Sequence, residues 1–286
     1  MLSILLAPAL AFATPAQIGP NPSAATDITN PPELEELRRR QRENAPAPVP
    51  RTINRTFAEC TELAKTNPAQ AEITANEWLV RAEGNLKASA NHCRGLALAG
   101  LGRLEEAAAA FVSGRENAMP DARLYRARLG MLAANALIGA GAPDDALAAI
   151  AIAEADARQA GTTRFDGELA LDRGRALVAL KREVDAAPYF ATARAQLPNN
   201  ADAWLMSATL SRRMDDLTAA QNQIERAAIL APDDPAIGLE AGLIAVLSGR
   251  EDAARKSWES VIIAAPASTA AETATSYLAQ LNEPNP

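Results

Sequence analysis

His92 is the only histidine in this 286-residue chain. It lies among Ala90, Asn91 and Cys93, with no carboxylate or serine at a local spacing that would make it a general base. A metal site needs several ligands converging on one ion, and one imidazole with two cysteines, Cys60 and Cys93, spread over 33 positions is poor material for it. The chain has no phosphate loop, no dinucleotide glycine fingerprint, no G-x-S-x-G and no H-E-x-x-H. The acidic pairs Glu105-Glu106 and Asp215-Asp216 fall where helices turn, and capping explains them better than acid–base work. These residues assign no catalytic role, no cofactor and no metal. What remains is thiol chemistry: two cysteines pair in an oxidising compartment, or act as small buried hydrophobes in a reducing one.

The elements that hold these residues are set out most clearly between Gly167 and Pro266. Three 34-residue windows, beginning at Gly167, Ala201 and Pro235, align without a gap. One column is always small (Gly174, Ala208, Gly242), and so is another (Ala186, Ala220, Ala254). A large apolar residue recurs as Phe190, Ile224 and Trp258, a smaller one as Ala193, Ala227 and Val261, and Pro198, Pro232 and Pro266 close the windows. Self-similarity at this period marks a repeat architecture.

Packing explains the columns. Trp204, Ala208 and Ser211 share one face of a helix over Ala203 to Met214, and Ala220, Ile224 and Ala227 share one face of a second over Leu217 to Ile229. Two helices joined by so short a turn lie antiparallel and close, which requires small side chains where the backbones meet. Proline at the end of each window stops the second helix. A single hairpin cannot bury both faces; a stack of them can.

This pattern resembles the tetratricopeptide repeat (TPR), a 34-residue helix-turn-helix unit, and the chain looks like an exported bacterial member of that family. The fold class expected is all-α: an α-solenoid of about six antiparallel hairpins plus a capping helix. Repeats are expected at about 55–87, 88–120, 121–166, 167–200, 201–234 and 235–266, with a cap at 267–286. The run Leu101-Gly102-Arg103-Leu104-Glu105-Glu106-Ala107 is the most family-like string, with Gly102 ending a first helix. In the third repeat Asp144 is expected to cap the second helix, which runs to about Ala160. The step from Ala146 to Ala186 is longer than the others, so about six residues are inserted, as helix extension plus the turn Gly161-Thr162-Thr163. Cys60 and Cys93 fall on the first helices of consecutive hairpins, where a bridge would pin the degenerate first pair to the second. Two buried thiols are the alternative.

In the family, first helices line a concave groove that binds partner peptides. The groove residues this implies are Arg128, Met131 and Asn135; Glu168, Leu171 and Arg175; then Asp202, Leu205, Thr209 and Arg212. Leu239, Leu243 and Val246 make the groove apolar toward the carboxyl end. Such a surface would take an extended or helical peptide. The Lys/Asn clamp by which some members grip a terminal carboxylate is not matched by Met131, Asn135 and Asp172, which argues against a chaperone-tail ligand.

Ahead of the repeats, Leu2 to Leu10 is an apolar run too short to span a bilayer, and Ala11-Phe12-Ala13 fits a cleavage signal. Residues 1–13 therefore read as a signal peptide and the product as periplasmic, without stable membrane insertion. No Lys or Arg precedes the run; a start upstream of Met1 would supply one, and otherwise the chain is cytoplasmic. The proline-rich stretch 14–54 reads as a disordered linker carrying a short charged helix at 33–43. A net charge of −7 argues against nucleic-acid binding, which needs a basic face. An aromatic content of 4% suits closely packed, alanine-rich helix pairs. The function expected is a non-catalytic scaffold for a protein or peptide. The rivals are an envelope-processing factor with a hidden site, an enzyme's accessory subunit, and a self-associating structural subunit.

Overall fold

The computed structural model describes Glu36, Arg39, Arg40 and residues 51–282, with side chains from 56 onward in the latter range. The expected signal peptide, most of the linker and most of the charged stretch 33–43 lie outside the described residues. Glu36, Arg39 and Arg40 are helical, and the Glu36 carboxylate accepts hydrogen bonds from both arginines.

Within the unit Pro50–Pro286 the described residues form thirteen helices. They are α1 (Arg51–Thr66), α2 (Pro68–Arg81), α3 (Gly84–Gly100), α4 (Leu104–Asn117), α5 (Arg123–Gly139), α6 (Pro143–Gln159) and α7 (Asp166–Ala179). There follow α8 (Glu183–Gln196), α9 (Ala201–Arg213), α10 (Leu217–Leu230), α11 (Pro235–Leu247), α12 (Glu251–Ala264) and α13 (Thr269–Asn282). Each packs on its neighbour in sequence, so α1 to α12 make six hairpins and α13 caps the last. The fold is an all-α solenoid of TPR-like repeats. Its first helix starts at Arg51, inside the stretch expected to be linker: no proline or glycine follows Pro50 to stop helix propagation backwards.

Five of the six hairpin turns are built alike. Each is three residues long with a left-handed middle residue: Gly102, Gly141, Lys181, Asp215 and Gly249, with φ of 74°, 76°, 58°, 63° and 71°. In each, the amide of the third turn residue donates to a carbonyl five residues back, and all five bonds are 2.9 Å (Arg103 to Leu98, Ala142 to Leu137, Arg182 to Leu177, Asp216 to Ser211, Arg250 to Ala245). This Schellman closure satisfies carbonyls that the helix end would otherwise leave unpaired. The first hairpin differs: α1 and α2 are separated by Asn67 alone, whose side chain accepts from the Gln70 amide while Pro68 opens α2.

Caps at the other starts follow local chemistry. Asn200, Asp216 and Asp234 accept from the amides of Ala203, Ala219 and Ala236. Asp144, by contrast, is not the cap of α6. Pro143 takes the first helical position and Ala142 precedes it, which places Asp144 in the first turn, where its charge still suits the helix dipole.

Inside each of the last five hairpins, one residue of the first helix faces one of the second sixteen positions later. The pairs are Gly95 with Phe111, Ala134 with Ile150, Gly174 with Phe190, Ala208 with Ile224 and Gly242 with Trp258. Glycine always faces an aromatic ring and alanine always faces isoleucine. A Cβ on Gly95 would lie 2.5 Å from the Phe111 ring, and one on Gly174 would fall on the ring of Phe190. All five large partners are buried, and the Trp258 indole N–H donates to the Leu239 carbonyl.

The long α6 has 17 residues against 14 in α8, α10 and α12. Its extension carries Asp156, which is buried and paired with Arg115 of α4 at 2.7 Å and Arg126 of α5 at 3.5 Å. The extra turn thus ties three helices together by charge.

Candidate functional site

Successive first helices approach one another at α1/α3, α5/α7, α7/α9 and α9/α11, whereas successive second helices make no comparable approach. The first-helix side is therefore the inner side of the stack. Polar residues on that face are largely engaged with each other. The Asn135 amide donates to Asp172 at 3.3 Å; Arg175 reaches Asp172 at 3.4 Å and Asp202 at 3.3 Å. One ladder thus links α5, α7 and α9. Arg212 forms a fork on Glu240, at 2.6 and 3.2 Å, linking α9 to α11. Burial raises the Asp172 carboxyl above its usual range, and the nearby Arg175 and Asn135 partly offset this.

Among the residues expected in the groove, Asn135, Arg175, Asp202 and Arg212 belong to these ladders. Thr209 and Met131 are half-buried. Glu168 is half-buried too, and its Oε2 is enclosed without a partner among the described residues. Leu171 and Leu205 are not groove residues: each is 5% exposed and packs in a core cluster. A first helix in a stack touches its own partner and both neighbouring hairpins, so its apolar arc is wider than that of an isolated pair. Leu239, Leu243 and Val246 are partly covered by packing in the cluster that includes α13. Glu240 is not among the groove residues expected from the sequence. Its signal was the spacing: Arg175 and Arg212 each reach an acid 27 or 28 positions on, two helical turns short of a full repeat.

At the amino end the inner face opens. The backbones of α3 and α5 do not approach as those of the other consecutive first helices do, and a recess of about 600 Å³ lies there. Phe57, Thr61, Ala64 and Lys65 of α1 form one wall, His92 and Leu96 of α3 the floor, and Tyr125 and Arg128 of α5 the other wall. His92 is 5% exposed, shares a 3.2 Å hydrogen bond with the Tyr125 hydroxyl through Nδ1, and contacts the rings of Phe57 and Phe111. Burial first, and the Arg128 charge second, lower its pKa to about 4, so the imidazole is neutral at pH 7. Next to this floor Cys60 of α1 and Cys93 of α3 are joined in a disulfide, Cα–Cα 6.0 Å, buried with Ala75.

This arrangement defines a class by its fold: a stack of TPR-like hairpins whose inner face is lined by first helices. No group of three or more His, Cys, Asp or Glu able to hold a metal exists among the described residues. No helix among them is long and apolar enough to cross a membrane. No protein-family model matches the chain, and no curated protein does. Solved structures do. The chain is similar to PilW, a type IV pilus biogenesis factor, at 18% identity and a TM-score of 0.64, over 79% of this chain and 99% of that one. It is similar to PilF of Pseudomonas aeruginosa at 14% identity and a TM-score of 0.61, over 80% of this chain and all of that one (100%). These likenesses are of fold.

Proposed function

We propose that this chain is a non-catalytic scaffold that holds a partner protein or peptide along the inner face of its hairpin stack. The observation that carries the reading is the segregation of first helices to one side. They form an inner surface that opens in a recess between α1, α3 and α5 and runs on past Asn135, Arg175 and Thr209. Binding there is passive: a preformed surface loses little conformational entropy when it is occupied.

The place of action is the cell envelope. The apolar run Leu2 to Leu10 ahead of Ala11-Phe12-Ala13 and the joining of the only two cysteines support export to an oxidising compartment. The test is a photo-crosslinking residue placed at Thr209 on the inner face or at Val184, which is 74% exposed on α8. Adducts formed in cells from Thr209 and not from Val184 support the scaffold reading. Adducts from neither, or the same ones from both, overturn it.

A further inference from the structure

Resting on that reading, we infer that the recess between α1, α3 and α5 anchors the bound peptide by taking a large apolar side chain flanked by a carboxylate. Three features of the recess select this chemistry. Its walls and floor are aromatic and aliphatic, supplied by Phe57, His92, Leu96 and Tyr125. Its charged lining residues are two cations, Lys65 and Arg128, and no acid lines it. Arg128 is exposed and makes no ion pair among the described residues, unlike Arg175 and Arg212 further along the same face. Lys65 pairs only with Glu62, one turn away on the solvent side, with both side chains more than two-thirds exposed or close to it (73% and 67%). Such a pair is weak and exchanges readily for a ligand carboxylate.

The floor fits the same ligand. A protonated His92 would oppose the Arg128 charge, and burial keeps the ring neutral, so the imidazole acts as an apolar surface rather than a third cation. The volume, about 600 Å³, is ample for one large side chain and the backbone around it. The disulfide between Cys60 and Cys93 holds the α1 wall against the α3 floor, one residue away from both Thr61 and His92. The recess is therefore preorganised by a covalent link, where the remaining hairpins are joined by packing and by ion pairs.

The single histidine provides a direct readout. In the oxidised full chain, its ring C–H resonances are followed while 3-phenylpropionate is added, with 3-phenylpropionamide and acetate as controls. The expected result is a saturable shift for the acid, at least about 5-fold weaker binding for the amide, and a comparable weakening with Arg128→Gln, as the loss of one charge contact of about 1 kcal/mol implies. Equal binding of acid and amide, no shift with the acid, or no effect of Arg128→Gln overturns the inference. A second arm uses peptides blocked at both ends, with glutamate or glutamine beside phenylalanine, against a glutamine peptide with a free carboxyl terminus. Preference for the blocked glutamate peptide supports the side-chain assignment, and preference for the free terminus overturns it. If the recess ignores every probe while Thr209 still crosslinks in cells, this inference falls and the scaffold reading stands. Loss of the Thr209 adducts with the probes still bound would overturn the scaffold reading instead.

Discussion

Gly174 of α7 lies so close to Phe190 of α8 that a Cβ at position 174 would sit 2.6 Å from the ring's Cδ1. One hairpin later the same two positions hold Ala208 and Ile224, both buried in one cluster. Gly174→Ala therefore sets two effects against each other. Alanine favours the helix by about 1 kcal/mol over glycine, but overpacking a full core costs roughly 1–3 kcal/mol. Phe190 is 2% exposed and has nowhere to move, so the upper end applies. The expected net loss is about 1–2 kcal/mol in urea denaturation. Adding Phe190→Ile, which recreates the neighbouring pair, should recover at least about 1 kcal/mol as a coupling energy. Additive effects would show that the two side chains do not oppose each other as described.

Lys181 is left-handed at φ 58° in a turn where Gly102, Gly141 and Gly249 occupy the equivalent position. Its Cβ is strained there, by about 1–2 kcal/mol in an ordinary residue. Lys181→Gly should stabilise the protein by roughly 0.5–1 kcal/mol after the added freedom of the unfolded chain is subtracted. Asp215→Gly should gain less, because Asp tolerates this conformation. Thermal unfolding midpoints of the two variants decide the order.

The bridge between Cys60 and Cys93 closes a loop with a sequence separation of 33. Removing it by Cys60→Ser with Cys93→Ser should cost about 3–4 kcal/mol on the chain-entropy estimate. In a stack each hairpin depends mainly on its neighbours, so the loss should be local. Amide exchange should accelerate in α1 and α2 while α9 to α12 keep their protection. A thiol assay on unreduced, denatured protein should read no free cysteine.

Breaking the Arg212–Glu240 fork tests the inner-face ladders. Glu240→Gln removes the charge and leaves Arg212 half-enclosed, with its side chain 22% exposed. A loss of roughly 1–3 kcal/mol is expected, as for a hydrogen-bonded charged pair out of full solvent. Asp202→Asn, whose side chain is 55% exposed, should change stability by well under about 1 kcal/mol. Equal losses in the two variants would mean that burial does not set the strength of these pairs.

His92 gives the fold a pH dependence of definite sign. Its folded pKa is lowered from 6.5 to about 4, so the unfolded chain binds the proton more readily. The stability contributed by the neutral ring is complete above pH 6.5 and is lost as pH falls toward 4, by on the order of 3 kcal/mol in total. Asp172, whose pKa is raised, acts in the opposite sense in the carboxylate range. The difference in unfolding midpoint between the native protein and His92→Gln should therefore shrink between pH 6.5 and 4. A constant difference would place His92 outside the buried floor.

The hairpin columns were legible in the sequence because a small residue and its large partner recur together: Gly174 with Phe190, Ala208 with Ile224, Gly242 with Trp258. Turn positions were legible where glycine marks them, as at Gly102, and not at Lys181, where the same Schellman closure holds a residue type that disfavours the conformation. Leu171 and Leu205 were misplaced because periodicity shows an apolar face without showing how many neighbours share it. The recess is not legible in the sequence for another reason. Phe57, His92 and Tyr125 come from three hairpins, each ordinary in its own window, and only stacking brings them together.

The alternation of glycine–aromatic and alanine–isoleucine pairs has a consequence for recombining this protein. A crossover in the linkers between hairpins, near Pro198 or Pro232, keeps every matched pair intact. One placed at a turn such as Lys181 or Asp215 would mate an alanine with a ring, or a glycine with a branched chain too small to reach it. Heritable shuffling of this chain, natural or engineered, should therefore tolerate exchange of whole hairpins and reject exchange of single helices.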